Sequence, residues 1–503
     1  MLSKSQPDEI QDFLADSSYV RGGHAERVVF PESAEDVAEI LATATREETP
    51  VTVSGAGTGT VGGRVPFGGI VLATDKLNHI KSIVQEGAGG RAVAEAGVIL
   101  RDLQRAVEAE GLLYPPDPTE RGCFLGGNVA TNASGARTFK YGPTRNYVER
   151  LKIALATGDV IDLKRGELHA DASGLIRIPL PSARVIEAQL PSYRMPLVRK
   201  HAAGYFVAPG MDVLDLFIGS EGTLGVVVEV EVKLLPKPEG LLSGVVFFKT
   251  RENVLAFVKE ARERSLTSRD GREPRGPSID ARALEYFDEG SLGFLRTKYD
   301  TIPAEAVGAI FFEQETTVAT EDPLMSEWLS LIENHRALAN DSWFATNEQD
   351  QAKLREFRHA LPVLMNEWFS HHKQRKVSTD MAAPDEAFPG LLGFYDESLR
   401  NTGLRYTIFG HIGDNHVHVN ILPRNDDEGT RAREIYLQFL KRAAAIGGTL
   451  SAEHGVGKLK RDYLRLFYSE DHLRQMVMLK RAFDPEGILG RGNLFSEEYL
   501  TAF

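Results

Sequence analysis

Val37, Ile40, Leu41 and Ala44 recur at the three-and-four spacing of one helical face, and Ser33 with Asp36 ahead of them makes a capping-box-like start. Leu100, Leu103 and Val107 repeat the pattern in a second helix, which Gly111 stops. Between the two, the rhythm is that of strands. An apolar run Val51–Val53 is followed by "IVLAT" at 70–74, and "SIVQEGAGGRAVAEAG" (82–97) reads as a hairpin turning at Gly87–Gly90. The span 112–147 is rich in loops, with two Pro-containing turns and several Gly-Gly or Ser-Gly breaks. Strand patterns resume at 151–163 and at 224–235, where Val226, Val228, Val230 and Val232 share one face.

"PKPEG" at 236–240 marks a domain boundary, after which the rhythm becomes β-α-β-α-β. Val245–Phe248 precedes a helix carrying Val254, Phe257, Val258 and Ala261. Ala309–Phe312 precedes one carrying Leu324, Trp328, Leu331 and Leu338. Strands at about 405–411 and 416–421 complete a mixed sheet with helices on one face. The charged, Gly- and Pro-containing stretch 262–278 reads as a mobile surface loop, with a docking surface as the alternative.

The glycines at 54–69, "SGAGTGTVGGRVPFGG", narrow the chemistry. Gly57, Gly59 and Gly62 satisfy G-x-G-x-x-G, but that fingerprint needs a helix opening straight afterwards. Pro66, two further glycines and a strand follow instead, so the Rossmann reading fails. No Gly-Lys-Ser/Thr closes a Walker A loop either. Two other segments share the character, "DPTERGCFLGGNVATNASGARTFKYG" (117–142) and "LFIGSEGTLGVVVEV" (216–230). Loops of this kind turn backbone N–H groups inward and bind an anion without lysine, which points to a cofactor with a pyrophosphate.

Composition limits the alternatives. The 503 residues allow about two to four domains, and 42% hydrophobic with 26% charged residues is ordinary for a globular protein. A net charge of −13 argues against nucleic acid as a partner. The single cysteine, Cys123, leaves no intramolecular disulfide and no thiolate-rich metal site. The N-terminus lacks the apolar core of a signal peptide, and no stretch of about 18 apolar residues would span a bilayer. The expectation is a cytoplasmic protein, with peripheral contact to the inner face of the membrane left open.

The three glycine-rich segments resemble the FAD-binding domain of the vanillyl-alcohol oxidase/p-cresol methylhydroxylase (PCMH) type. Within it, they resemble the D-lactate dehydrogenase, glycolate oxidase and D-2-hydroxyglutarate dehydrogenase family, over about residues 25 to 495. The resemblance implies an α+β chain with an N-terminal segment (1–24) and a two-lobed PCMH-type FAD-binding domain (25–237). A mixed α/β, ferredoxin-like substrate or cap domain (238–450) follows, then a short helical C-terminal segment (451–503) packed back on the FAD domain. It implies that Ser54, Gly55, Ala56, Gly57, Thr58, Gly59 and Thr60 hold the pyrophosphate. Asp117, Thr119, Cys123, Gly127, Thr131, Asn132, Ala133, Ser134, Glu221, Gly222 and Val227 would line the rest of the flavin. Some relatives attach FAD through a histidine near the first loop. None lies between 25 and 78, so FAD is expected to be non-covalent.

"FGHIGDNHVHVNI" (409–421) is the second chemical signal. Gly413, Asp414 and Asn415 make a turn, so the segment reads as a hairpin whose second strand sends His416, His418 and Asn420 to one side. "SAEHGVGK" later adds Glu453 and His454. Histidines with a carboxylate are the donor set of an open divalent-metal site. By resemblance His411, His418 and Glu453 are the metal ligands, zinc first, with manganese or iron as alternatives, and His454 is the proton acceptor. The family's commoner Gly-Asn is Asn415-His416 here. His416 is then an extra ligand, an outer partner or a pH-sensitive group, and the residues alone do not choose. Arg358 in "LREFRHALP" resembles a family arginine that would clamp a substrate carboxylate, and Lys376 in "KVSTDMAAP" is a second candidate. Asn420 would hydrogen-bond the substrate.

The implied reaction is oxidation of a small D-2-hydroxy acid, D-lactate first, by hydride transfer to FAD. Electrons would leave to a quinone, a cytochrome, an electron-transfer flavoprotein or an iron–sulfur protein, and a homodimer is one expected assembly. The rival readings are glycolate or D-2-hydroxyglutarate oxidation, an alkylglycerone-phosphate synthase-like enzyme, and a non-catalytic FAD or electron-relay subunit. The C-terminal "FDPEGILGRGNLF" departs from the family's usual "NPGK" ending.

Overall fold

The structure, a computed structural model, describes residues 2–270 and 277–501. Its first lobe is a four-stranded sheet in the order Leu2–Lys4, Arg27–Phe30, Ile70–Ala73, Val51–Ser54. The last three strands are mutually parallel. Helix Ala34–Arg46 makes the crossover, and Ser33 caps it by accepting from the Asp36 N–H. Its Val37, Ile40, Leu41 and Ala44 pack on Val29, Val51 and Leu72 on one side and Val226 and Val228 on the other. The helix therefore glues the first lobe to the second. The glycine loop leaves Ser54 and runs to Ile70 without any helix, as the sequence pattern requires.

The second lobe is a six-stranded antiparallel sheet centred on Val226–Pro236, which pairs with both Gly89–Glu95 and Val148–Ala154. The hairpin Ile80–Glu86/Gly89–Glu95 turns at 87–88. Two elements here lie outside the sequence expectations. The loop-rich span holds the helix Leu125–Thr131, and a separate hairpin, Leu175–Pro179/Val185–Gln189, packs against the C-terminal helix Glu470–Phe483. That C-terminal segment also closes the first lobe, since the Val51 N–H donates to the Ile488 carbonyl at 2.8 Å.

The cap sheet has seven strands, in the order Trp343–Ala345, Gly240–Phe248, Gly308–Thr316, Ala281–Asp288, Arg405–Gly410, His418–Leu422, Val377–Ser378. It corrects two expectations. Every pairing is antiparallel rather than mixed. Helices cover both faces: Phe257, Val258 and Trp328 pack with Val246 and Phe312, while Leu354, Phe357 and Leu361 pack with Val245 and Phe311. Burial of both faces removes the polar alternation, so Ala281–Asp288, buried at every position, carries no strand period.

Leu338 does not belong to the second cap helix, which ends at Asn334. Its N–H instead donates to Phe247 at 2.8 Å. Residues 262–269 of the expected loop continue helix Arg251–Arg269, and 271–276 lie outside the described residues. Among the described residues no helix is long and apolar enough to cross a membrane.

Candidate active site

All three glycine-rich segments open onto one cleft between the lobes. Gly55–Gly59, Cys123, Gly127, Thr131, Glu221, Gly222 and Val227 line it, and His454 stands at its wall. A Cβ on Gly127 would meet no protein atom within 4 Å, and one on Gly222 only Val53 at 3.9 Å. The backbone is thus bared to a space that the protein does not fill, which fits an extended cofactor such as FAD.

Other residues expected at the flavin stand behind the cleft or away from it. Ser54 is fully buried and accepts from Arg64 Nη1 at 2.9 Å. Thr60 does not line the cleft, and Thr119 is exposed. Asp117 is buried in ion pairs with Arg121 (2.7 Å) and Arg137 (3.3 Å). Asn132 ends its helix at φ 49 and holds the Arg145 N–H, and the Ala133 carbonyl accepts from Thr144. Ser134 turns toward the second cluster, donating to Glu453 Oε1 at 3.1 Å.

That cluster sits beyond His454. His411, His416, His418 and Glu453 place one donor atom each within 4.8 Å of all the others. The hairpin explains why. Phe409 pairs with His418, and at Gly410 (φ +123) a Cβ would lie 3.1 Å from the His418 ring, so glycine is required there. Asn415 takes the left-handed turn position at φ 54, which asparagine tolerates better than most residues, and folds the histidines together.

Each donor is oriented from behind. His418 Nδ1 donates to the Thr379 carbonyl at 2.9 Å, leaving Nε2 toward Glu453 Oε2 at 3.9 Å. His411 Nδ1 meets Glu285 Oε1 at 2.6 Å and its Nε2 meets Glu453 Oε1 at 3.2 Å. Burial opposes charge on His411, but Glu285 and Glu453 outweigh it and push the imidazole up to about 9. Burial drives His416 and His418 down to about 4, as neutral lone-pair donors. Glu453 is held well below the carboxylate range against its burial by His411 and Lys200, whose ammonium is fully buried 2.5 Å away.

Asp380, 1% exposed, orders the loop that carries Glu453 and His454. It accepts from Lys460 Nζ (2.7 Å), Ser451 Oγ (2.5 Å) and the His454 N–H (3.0 Å), and faces His454 Nδ1 at 3.4 Å. The His454 ring, 36% exposed, stacks over His418 at 5.4 Å, so it touches both the cleft and the cluster. Glu221 does more than line the cleft. Its two oxygens accept from the Val456 and Gly457 N–H groups, each at 2.7 Å, and burial lifts it to about 7. Glu221→Gln leaves one oxygen for two donors. It is expected to cost about 1–3 kcal/mol, read as a lower melting temperature.

Arg358 is placed by Glu285, which its Nε meets at 3.1 Å. Lys376 has no hydrogen bond or ion pair among the described residues, and its charge is felt by His454. Asn420 is buried with its Nδ2 unpartnered. Sequence reasoning missed Asp380, Lys200, Glu285 and Arg64. Asp380 stands inside the quoted "KVSTDMAAP" and was within reach. Arg64 leans over the glycine loop, its Nη1 donating to the Gly55 carbonyl at 2.7 Å, where a Cβ on Gly57 would strike it.

Comparison with known proteins agrees with this architecture. Residues 25–164 match the family described as FAD binding domain, and 243–494 match FAD linked oxidases, C-terminal domain. The chain is 30% identical over 477 residues to the glycolate oxidase subunit GlcD of Bacillus subtilis (strain 168), covering 94% of this chain and 89% of that protein. It is 29% identical to a D-lactate dehydrogenase of Anaerostipes hadrus, covering 97% and 93% respectively. It is 26% identical to a D-2-hydroxyglutarate dehydrogenase of Stutzerimonas stutzeri (strain A1501), covering 93% and 90%. A solved alkyldihydroxyacetonephosphate synthase shares the fold at a TM-score of 0.65 and 15% identity, over 97% of this chain and 81% of that one. With both halves matched and a relative at 30% identity along most of its length, the chain belongs to the PCMH-type family of FAD-linked oxidases.

Proposed function

We propose that the protein is an FAD-dependent dehydrogenase that oxidises a D-2-hydroxy acid, D-lactate foremost, to the 2-oxo acid. One observation carries the reading: His454, backed by Asp380, stands on the wall shared by the FAD cleft and the histidine–carboxylate cluster. Non-covalent FAD supplies the two-electron acceptor when bound. A divalent cation, zinc first, held by His411, His418 and Glu453, supplies Lewis acidity at the substrate oxygens.

The chain's own residues handle the proton and the substrate. Burial lowers His454 below its usual range, so it is neutral at neutral pH, and with Nδ1 toward Asp380 its Nε2 lone pair takes the hydroxyl proton. The C2–H bond breaks with its electron pair, and the C2–O single bond becomes the carbonyl. Asn420 Nδ2, buried and unpartnered, is the free donor for a substrate oxygen. Lys376, without a hydrogen bond or ion pair among the described residues, and Arg358, held by Glu285, are the candidates to receive the substrate carboxylate. Electrons then pass to an external quinone, cytochrome, electron-transfer flavoprotein or iron–sulfur protein.

Anaerobic addition of D-lactate is expected to bleach the yellow protein, and L-lactate is expected to leave it oxidised. Glycolate and D-2-hydroxyglutarate in the same panel rank the alternatives. A flavin that stays oxidised with every acid overturns the reading. Removal of metal with EDTA is expected to abolish bleaching while the oxidised flavin spectrum persists. Full activity in a metal-free preparation removes the cation from the mechanism.

A further inference from the structure

His416 has no task in the reaction just described, yet it is fully buried at the centre of the cluster. Its Nδ1 has no hydrogen-bond partner. Nε2 approaches Asp380 Oδ1 at 3.2 Å, whereas Nδ1 faces Glu453 Oε1 only at 4.0 Å. Its ring centroid lies 4.5 Å from that of His418 and 5.4 Å from that of His411. A buried imidazole whose Nδ1 meets no hydrogen-bond partner is costly, and folded proteins rarely keep one. The Asn415 turn puts this ring, rather than the shorter amide common in the resembling family, directly against the other three donors.

We propose that His416 is a fourth protein donor, through Nδ1, to the divalent cation held by His411, His418 and Glu453, with Asp380 orienting it through Nε2. The inference rests on the metal reading above. A carboxylate behind the far nitrogen is the usual way a ligating imidazole is fixed in one tautomer. Three imidazole nitrogens and one carboxylate favour the borderline divalent ions over magnesium or calcium. The chain is thereby set to hold its cation more tightly than a two-histidine site.

Zinc is the probe. The flavin-loaded holoenzyme and its His416→Asn variant are stripped and reloaded with Zn²⁺. Affinity is then measured against a chromophoric chelator, and the imidazole count is read from the zinc K-edge EXAFS. The expected result is an about 10- to 100-fold larger dissociation constant in the variant, at least the loss typical when a supporting partner of a metal site is removed. The EXAFS imidazole count should fall from three to two. Equal affinity and an unchanged count overturn the proposal. Where the variant does not fold, the wild-type spectrum decides alone, two imidazoles overturning the assignment and three supporting it. A wild-type protein that binds no zinc at all fails earlier, at the metal reading itself.

Discussion

His454→Ala keeps its flavin and its fold but lowers kcat by about 10²- to 10⁴-fold, the range of a lost general base. The side chain is 36% exposed toward the cleft, and the bond that anchors this residue to Asp380 comes from its backbone N–H, which alanine retains. Little stability is therefore at stake, and the oxidised flavin spectrum serves as the internal control. The wild-type pH profile gives a second check. The base works deprotonated, and burial lowers its pKa from 6.5, so the acid limb of kcat/KM lies below pH 6.5 and the rate is flat through neutrality. In the variant that limb is absent. An unchanged kcat removes His454 from the proton step.

What was legible in the chain followed from how many sides of an element are buried. Helix Ala34–Arg46 and strand Val226–Pro236 each keep a polar face, so their periods survive in the sequence. Strand Ala281–Asp288 is covered on both faces and its alternation is gone. Helix Leu125–Thr131 hides behind two glycines: Gly127 bares its backbone to the cleft, and Gly126 packs so close that a Cβ would lie 2.7 Å from Ala96, demands that override propensity. Leu338 continued a helical period only in sequence, because Arg336 takes φ 52 and breaks the helix.

The candidate site divides in the same way. His411, His416, His418, Glu453 and His454 fall in two short motifs, where chemical residue types crowd together against the background. Lys200 and Glu285 stand singly in distant segments, and only the antiparallel cap sheet and the return of the C-terminal segment bring them to the cluster. A lone buried Lys or Glu carries no mark in sequence of the partner it will meet.

Asp380→Asn is the sharper test, because it preserves shape and removes only a charge. Against its burial, His454 and Lys460 hold the Asp380 carboxyl well below its usual 3.8, so it is anionic throughout the working range. That charge raises the pKa of His454 and favours a proton on Nδ1, which leaves Nε2 free for substrate. An asparagine amide that turns its NH2 to Nδ1 selects the opposite tautomer, with Nε2 already protonated. The expected loss in kcat is about 10²- to 10⁴-fold at saturating zinc and substrate. The surviving acid limb should move to lower pH, since a raising influence on His454 is gone. Lys460 loses its buried partner, so a cost of about 3–5 kcal/mol in stability is expected as well. Because the folded pKa of Asp380 is depressed, this contribution is complete above about pH 3.8 and fades as pH falls toward the folded value. The melting-temperature gap between wild type and variant should therefore be constant near neutrality and narrow in strong acid. Wild-type kcat with an unmoved acid limb separates Asp380 from the base, whatever the melting curve shows.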